Sequence, residues 1–269
     1  MSSAVPRGPW IDHFGDDFLW SNATLIIKGM APYGVVALEE IDRACEKLRA
    51  RQAEPDRGKA WKEEWSALGA LIEKRGDEAL ARGHRITAGD YYLRAGIYHY
   101  NAERFIPPGP EKKAQGARAY KAWQQGIRLR YPRVEFIEVP YERTTLAALF
   151  MPAQEASGPA PTVVAVNGMD NAKEMSIFFC GLEFARRGFN TLCLDGPGMG
   201  EMRRMRDIST RIPSCTGSAP PDSPVPAPRG TNGTPWRAQA RTMATTSAVD
   251  SGTTTASGRD LYRVSASHS

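Results

Sequence analysis

Residues 162–201 read T-V-V-A-V-N-G-M-D-N-A-K-E-M-S-I-F-F-C-G-L-E-F-A-R-R-G-F-N-T-L-C-L-D-G-P-G-M-G-E. Thr162 to Val166 is a short, continuous, largely β-branched run, the pattern of a strand buried on both faces of a parallel sheet. From Glu174 to Arg187 the apolar residues Ile177, Phe178, Leu182 and Phe184 fall at helical spacing, and Gly188 supplies a C-terminal stop. Asn190 to Leu194 repeats the buried-strand pattern. Strand, helix, strand predicts a βαβ unit with a right-handed crossover, and therefore an α/β fold.

Each strand of this unit ends in a glycine turn. Asn167-Gly168-Met169-Asp170 follows the first. In open α/β sheets ligands bind at the carboxyl ends of the strands, and a glycine lets backbone N–H groups approach a substrate oxygen. The Met169 N–H, with Gly168 shaping the turn, is the candidate donor for half of an oxyanion hole; the alternative is a plain tight turn. Asp195-Gly196-Pro197-Gly198-Met199-Gly200-Glu201 follows the second strand. A phosphate-loop reading fails on detail. G-x-G-x-x-G needs glycine where Glu201 stands, no Gly-Lys-Ser/Thr is present, and Pro197 removes a backbone donor. A rigid connection into the next helix is the expectation.

Upstream, to about Tyr131, the pattern is helical. Glu39 to Arg51 places Ile41, Ala44, Cys45 and Leu48 on one stripe. Ala60 to Arg82 does the same with Trp61, Trp65, Leu68 and Ile72, and Gly69 and Gly76 weaken it by about 1 kcal/mol each. Thr87 to Phe105 is rich in alanine and aromatics, the Pro107-Pro108-Gly109-Pro110 run stops it, and Glu111 to about Leu129 forms a further helix. The Trp and Tyr residues of this half are expected in the core or at interfaces. His99, between Tyr98 and Tyr100, reads as a packing residue rather than a base. After Val134 the period shortens: Val134–Val139 and Thr144–Met151 predict a hairpin around Glu142-Arg143, which is not a favoured turn pair.

The composition sets outer limits. With 41% hydrophobic and 24% charged residues the 269-residue chain is globular for most of its length. Its net charge of +5 is too mild and too scattered for a dedicated nucleic-acid binder. No apolar run is long enough to span a bilayer, and Met1 to Trp10 lacks an apolar leader core. A cytoplasmic protein with no membrane and no nucleic-acid partner is expected. Cys45, Cys180, Cys193 and Cys215 form no CxxC pair, so neither a zinc site nor a redox motif is expected, and no cofactor. From Pro213 to Ser269 serine, threonine, proline and glycine dominate, and Phe, Ile and Lys are absent. Such a segment buries too little apolar surface to offset its ordering entropy, and the expectation is disorder.

The stretch from Val163 to Glu201 resembles the first βαβ unit of the α/β-hydrolases. It is most similar to the branch of 2,6-dihydroxypseudooxynicotine hydrolase and the fungal polyketide-shortening pigment hydrolases, where an N-G-L-D-x-x-K-E-like turn and a D-G-P-G-Q-G-E turn occupy these places. That branch carries a helical domain ahead of the hydrolase core, as the first half of this chain suggests. The resemblance implies an N-terminal helical, cap-like domain over 1–132, the first half of an α/β-hydrolase sheet over 133–212, and a low-complexity tail over 213–269. It implies a small-molecule carbonyl substrate attacked at a C–C, ester or polyketide carbonyl bond by a serine on a G-x-S-x-G elbow, with histidine and aspartate behind it. It carries the oxyanion role over to Met169, gives Asp170, Lys173 and Glu174 a loop-shaping place, and leaves Glu201 without a role.

The 269 residues contain no G-x-S-x-G. Asp250-Ser251-Gly252 lacks both the flanking glycine and the preceding strand. No Ser/Asp/His triad is found, and the break near Pro213 looks like a truncated or frame-shifted back half. Three readings stay open: a serine hydrolase by family, inactive as this chain; a non-catalytic binding or interaction module; or a degenerate product. The half-sheet is expected to be poorly packed, with Val164, Val166 and Leu192 partly exposed and with an unpaired outer edge on Asn190 to Leu194.

Overall fold

The computed structural model describes residues 13–15, 17–155 and 158–208. The compositional break at Pro213, the low-complexity segment after it, Cys215 and Ser251 lie outside the described residues.

Five helices come first: α1 (Phe18–Lys28), α2 (Leu38–Ala50), α3 (Arg57–Ala81), α4 (Arg85–Ala102) and α5 (Pro110–Arg130), with a 3-10 turn at Ala31–Tyr33. Three of their starts are locally encoded. The Asp17 carboxylate accepts the Trp20 N–H at 3.1 Å and Asp56 accepts that of Lys59 at 2.8 Å, while α5 opens on Gly109-Pro110. The glycines inside α3 are more than weak points. A Cβ on Gly69 would stand 2.6 Å from the His99 ring, and one on Gly76 would stand 3.0 Å from Tyr92. Gly96 of α4 likewise makes room for the Trp123 ring of α5. Bare backbone at these points lets three helices approach closely and seat rings between them. The aromatic series Phe14, Trp20, Trp61, Trp65 and Tyr98 runs through the resulting core with successive ring centroids 5.3–6.0 Å apart. His99 is fully buried, with Nε2 3.1 Å from Glu73 Oε2 and Nδ1 3.4 Å from the Gln115 amide.

The sheet follows: β1 (Glu135–Tyr141), β2 (Thr144–Met151), β3 (Thr162–Val166) and β4 (Asn190–Leu194), in the order β1-β2-β4-β3. β1 and β2 form the predicted antiparallel hairpin, Tyr141 opposite Thr144, and Glu142 takes the left-handed φ of 49° that its tight turn demands. β4 pairs antiparallel with β2 and parallel with β3, Val166 opposite Leu194. Between β3 and β4 runs a helix in three parts: α6 (Lys173–Ser176), a π turn at Ile177–Gly181 and α7 (Leu182–Arg186). Gly188, at φ 82°, ends it. The short helix α8 (Gly200–Arg204) follows β4.

Three expectations are corrected here. β3 is not buried on both faces: Val164 and Val166 are 56% and 60% exposed. The unpaired edge of the described sheet also belongs to β3, because β4 inserts between β2 and β3 and is hydrogen-bonded on both sides. Nor is the half-sheet poorly packed on its covered face. Leu149, Cys193, Met175 and Ile177 are fully buried in one cluster with Trp61, Trp123 and Ile127 of the helical layer. The expected partial exposure of Val164, Val166 and Leu192 is seen.

An uncharged edge strand with two exposed valines is a template for pairing with other chains. Light scattering on the full chain is expected to show reversible self-association that Val164→Lys suppresses without moving Tm. Equal scattering from both proteins would sink this.

Candidate active site

The turns that end β3 and β4 meet at one buried carboxylate. Asp195 is fully buried. Its Oδ1 accepts from Asn167 Nδ2 at 2.6 Å and from the Lys173 N–H at 2.8 Å, and its Oδ2 accepts from the Glu201 N–H at 2.8 Å. One side chain thus ties the start of the first turn, the start of α6 and the start of α8. Gly200 belongs to the same arrangement: it sits at φ 39°, and a Cβ there would run into the Asp195 carboxylate.

Beside Asp195 lies a cluster with one ammonium and three carboxylates. Lys173 Nζ is 2.6 Å from Glu201 Oε2, 2.8 Å from Glu174 Oε1 and 3.6 Å from Asp195 Oδ2, and it lies 5.1 Å from the Tyr120 ring centre. Burial alone would lower the Lys173 pKa; the attraction of Glu174, Asp195 and Glu201 reverses that and leaves it raised. Glu174 is fully buried, and its pKa is pushed up to about 7 by that burial and by Asp195, against the pull of Lys173. Arg206 closes the cluster from outside. It binds Glu201 at 2.9 Å and Glu138 of β1 at 2.6 Å, and the Arg206 contact holds the Glu138 carboxyl down at about 2.

This scaffold presents the first turn to an open cleft. The Asn171 N–H donates to the Gly168 carbonyl at 3.1 Å, which makes residues 168–171 a β-turn whose own hydrogen bond does not use the Met169 N–H. Met169 is 58% exposed. The helical layer and α8 both pin the turn: Tyr100 Oη of α4 donates to the Asp170 carbonyl at 3.2 Å, and Arg204 Nη1 of α8 to that of Met169 at 3.5 Å. A cleft of about 440 Å³ lies between the turn and α1, lined by Leu25, Ile26, Gly168, Met169, Asn171 and Phe179.

No family model matches the chain. Its sequence is 30% identical over 203 residues to an α/β-hydrolase of Penicillium citrinum, covering 74% of this chain and 46% of that protein. It is 28% identical over 149 residues to 2,6-dihydropseudooxynicotine hydrolase of Paenarthrobacter nicotinovorans, covering 55% of this chain and 40% of that one. The crystal structure of 2,6-dihydroxy-pseudo-oxynicotine hydrolase superposes with a TM-score of 0.51 at 24% identity, over 67% of this chain and 46% of that chain. The chain belongs to the α/β-hydrolases. It spans a little under half the length of the curated hydrolases it matches, and its described part is a helical layer followed by the first strands of the hydrolase sheet.

Set in that fold, the residues singled out from sequence gather at one end of the sheet. Gly168, Met169 and Asp170 form the exposed turn, while Lys173, Glu174 and Glu201 form the buried cluster beneath it. Glu201, for which sequence offered no role, supplies both an N–H to Asp195 and a carboxylate to Lys173. Sequence reasoning missed Asp195 as the hub, and Tyr100 and Arg204 as supports of the turn. The only available signal was an aspartate placed directly after a buried strand and ahead of three glycines. Cys180 and Cys193 are free thiols, the second fully buried. Among the described residues no cluster of His, Cys, Asp and Glu could hold a metal ion, and no helix is long and apolar enough to cross a membrane.

Proposed function

We propose that this hydrolase chain binds a small carbonyl compound in the cleft between α1 and the residue 168–171 turn, with the Met169 N–H as donor to the carbonyl oxygen. The bond class the family resemblance implies is C–C, ester or polyketide carbonyl. The observation that carries the reading is the cleft itself: a β-turn at the carboxyl end of a strand, pinned by Tyr100 and Arg204, opens onto an apolar wall from the helical layer. Such a turn supplies a preorganised dipole at the point where oxyanion charge develops.

Hydrolysis needs a nucleophile as well, and the sequence holds no G-x-S-x-G. Loss of the nucleophile alone removes several orders of magnitude of rate. We therefore infer that this chain binds carbonyl ligands without turning them over, which makes it a binding module built on a hydrolase frame. A fluorophosphonate probe is expected to label no serine of the full chain, while a β-diketone still quenches its tryptophan fluorescence. Met169→Pro, which suits the second position of a β-turn and deletes one N–H, is expected to weaken that binding at least tenfold. Specific serine labelling would overturn the inactive reading, and unchanged affinity in Met169→Pro would overturn the oxyanion role.

A further inference from the structure

A second, smaller cavity shares Asp170 of the same turn. Its volume is about 150 Å³, too small for a whole metabolite and large enough for one charged group. Five cationic side chains line it: Arg104, Lys112, Lys113, Arg203 and Arg204. Two carboxylates, Asp170 and Asp207, share the wall.

The cations outnumber the acids that could neutralise them. Beneath the floor, buried Glu103 serves two of them at once, Lys112 Nζ at 2.5 Å and Arg204 Nε at 2.5 Å. Asp207 pairs with Lys113 at 2.5 Å from an exposed position, and Asp170 reaches Arg104 only at 3.8 Å. Arg203 makes no ion pair among the described residues. Five cations therefore face three carboxylates, two of which stand in solvent and can turn away. A cationic excess lining one cavity attracts a carboxylate or a phosphate, and arginine forks grip such groups through two parallel N–H bonds.

Its location gives the excess a use. Asp170 lines both this cavity and the carbonyl cleft. Arg204 lines the cavity and also donates to the Met169 carbonyl of the turn. Its guanidinium is held in place over the Tyr100 ring, 4.5 Å from the centre. We propose that this cavity binds the carboxylate of a carbonyl acid whose carbonyl oxygen sits at the Met169 turn, so that the preferred ligand is a keto acid or acidic ester rather than a neutral ketone. This rests on the carbonyl-cleft reading above and adds the ligand's charge to it.

The test uses the full chain and three probes: 4-oxo-4-phenylbutanoate, its neutral carboxamide, and inorganic phosphate. The acid is expected to bind at least tenfold more tightly than the carboxamide at low ionic strength, with the gap narrowing as salt is added. Lys113→Gln/Arg203→Gln changes two exposed side chains, so folding should survive, and Tm reports whether it does. In that variant the preference is expected to disappear while carboxamide affinity stays unchanged. Equal affinity for acid and carboxamide, or a preference that survives the double substitution, overturns the proposal. If neither organic probe binds, phosphate decides. Phosphate binding that the double variant loses upholds the anion site and removes the carbonyl reading; no phosphate binding removes the anion site as well.

Discussion

Asp195→Ala is expected to destabilise the protein by about 3–5 kcal/mol, the range for breaking a buried, charged hydrogen-bond network. The carboxylate is fully buried and accepts three hydrogen bonds, one from the Asn167 amide and two from backbone N–H groups of Lys173 and Glu201. Alanine would leave those donors buried and unpaired, at a cost of about 1–3 kcal/mol for each group that water cannot reach. It would also take one of the three carboxyl groups from around Lys173. Asp195→Asn keeps an acceptor but turns the other carboxylate oxygen into a donor that faces an N–H, so an intermediate loss is expected. Urea unfolding followed by fluorescence measures this as a lower midpoint at unchanged slope. A loss below about 1 kcal/mol for Asp195→Ala would mean that the two turns hold their shape without the carboxylate.

How much of this was legible in the sequence depends on how local each signal is. The helices α2 to α5 follow from the spacing of residues such as Ile41, Leu48, Trp61 and Trp65, because helical periodicity is a property of neighbours in the chain. The hairpin of β1 and β2 is equally local. Strand order is not. Nothing in T-V-V-A-V or N-T-L-C-L says that β4 lies between β2 and β3, so the exposed edge was assigned to the wrong strand. A continuous β-branched run marks a strand but does not say what covers it, and Val164 and Val166 are bare on one face. Gly69 and Gly76 illustrate the same limit from the other side. Propensity counts them as a loss, whereas the partner that makes them useful, the His99 ring or Tyr92, stands on another helix. The turn at Gly168 and Met169 could be found from its place after a strand. The convergence of Asn167, Lys173 and Glu201 on Asp195 could not, because those contacts span 28, 22 and 6 residues.

Glu174 gives the last prediction, a pH dependence with a definite sign. Its carboxyl is fully buried, and burial and the nearby Asp195 raise its pKa from the ordinary 4.5 to about 7, with Lys173 opposing. Below pH 4.5 the group is protonated both folded and unfolded and contributes no slope. Between pH 4.5 and 7 the unfolded chain releases the proton while the folded chain keeps it, so stability falls as pH rises; above 7 the loss is complete. A shift of this size corresponds to about 3 kcal/mol. Other groups add slopes of their own. Glu138 and Glu201, whose pKa values are lowered, act below pH 4.5. His99, lowered by its burial, favours the folded state as pH rises toward 6.5 and so opposes Glu174 within the same window. The quantity to measure is therefore the difference between Glu174→Gln and wild type, in which those slopes cancel. Glutamine cannot ionise, and Lys173 keeps Asp195 and Glu201 as partners. The stability of Glu174→Gln relative to wild type is expected to rise by about 3 kcal/mol between pH 4.5 and 7 and to stay level on either side. A difference that is flat from pH 4 to 8 would show that Glu174 is ionised in the folded protein throughout, with Lys173 rather than burial setting its charge.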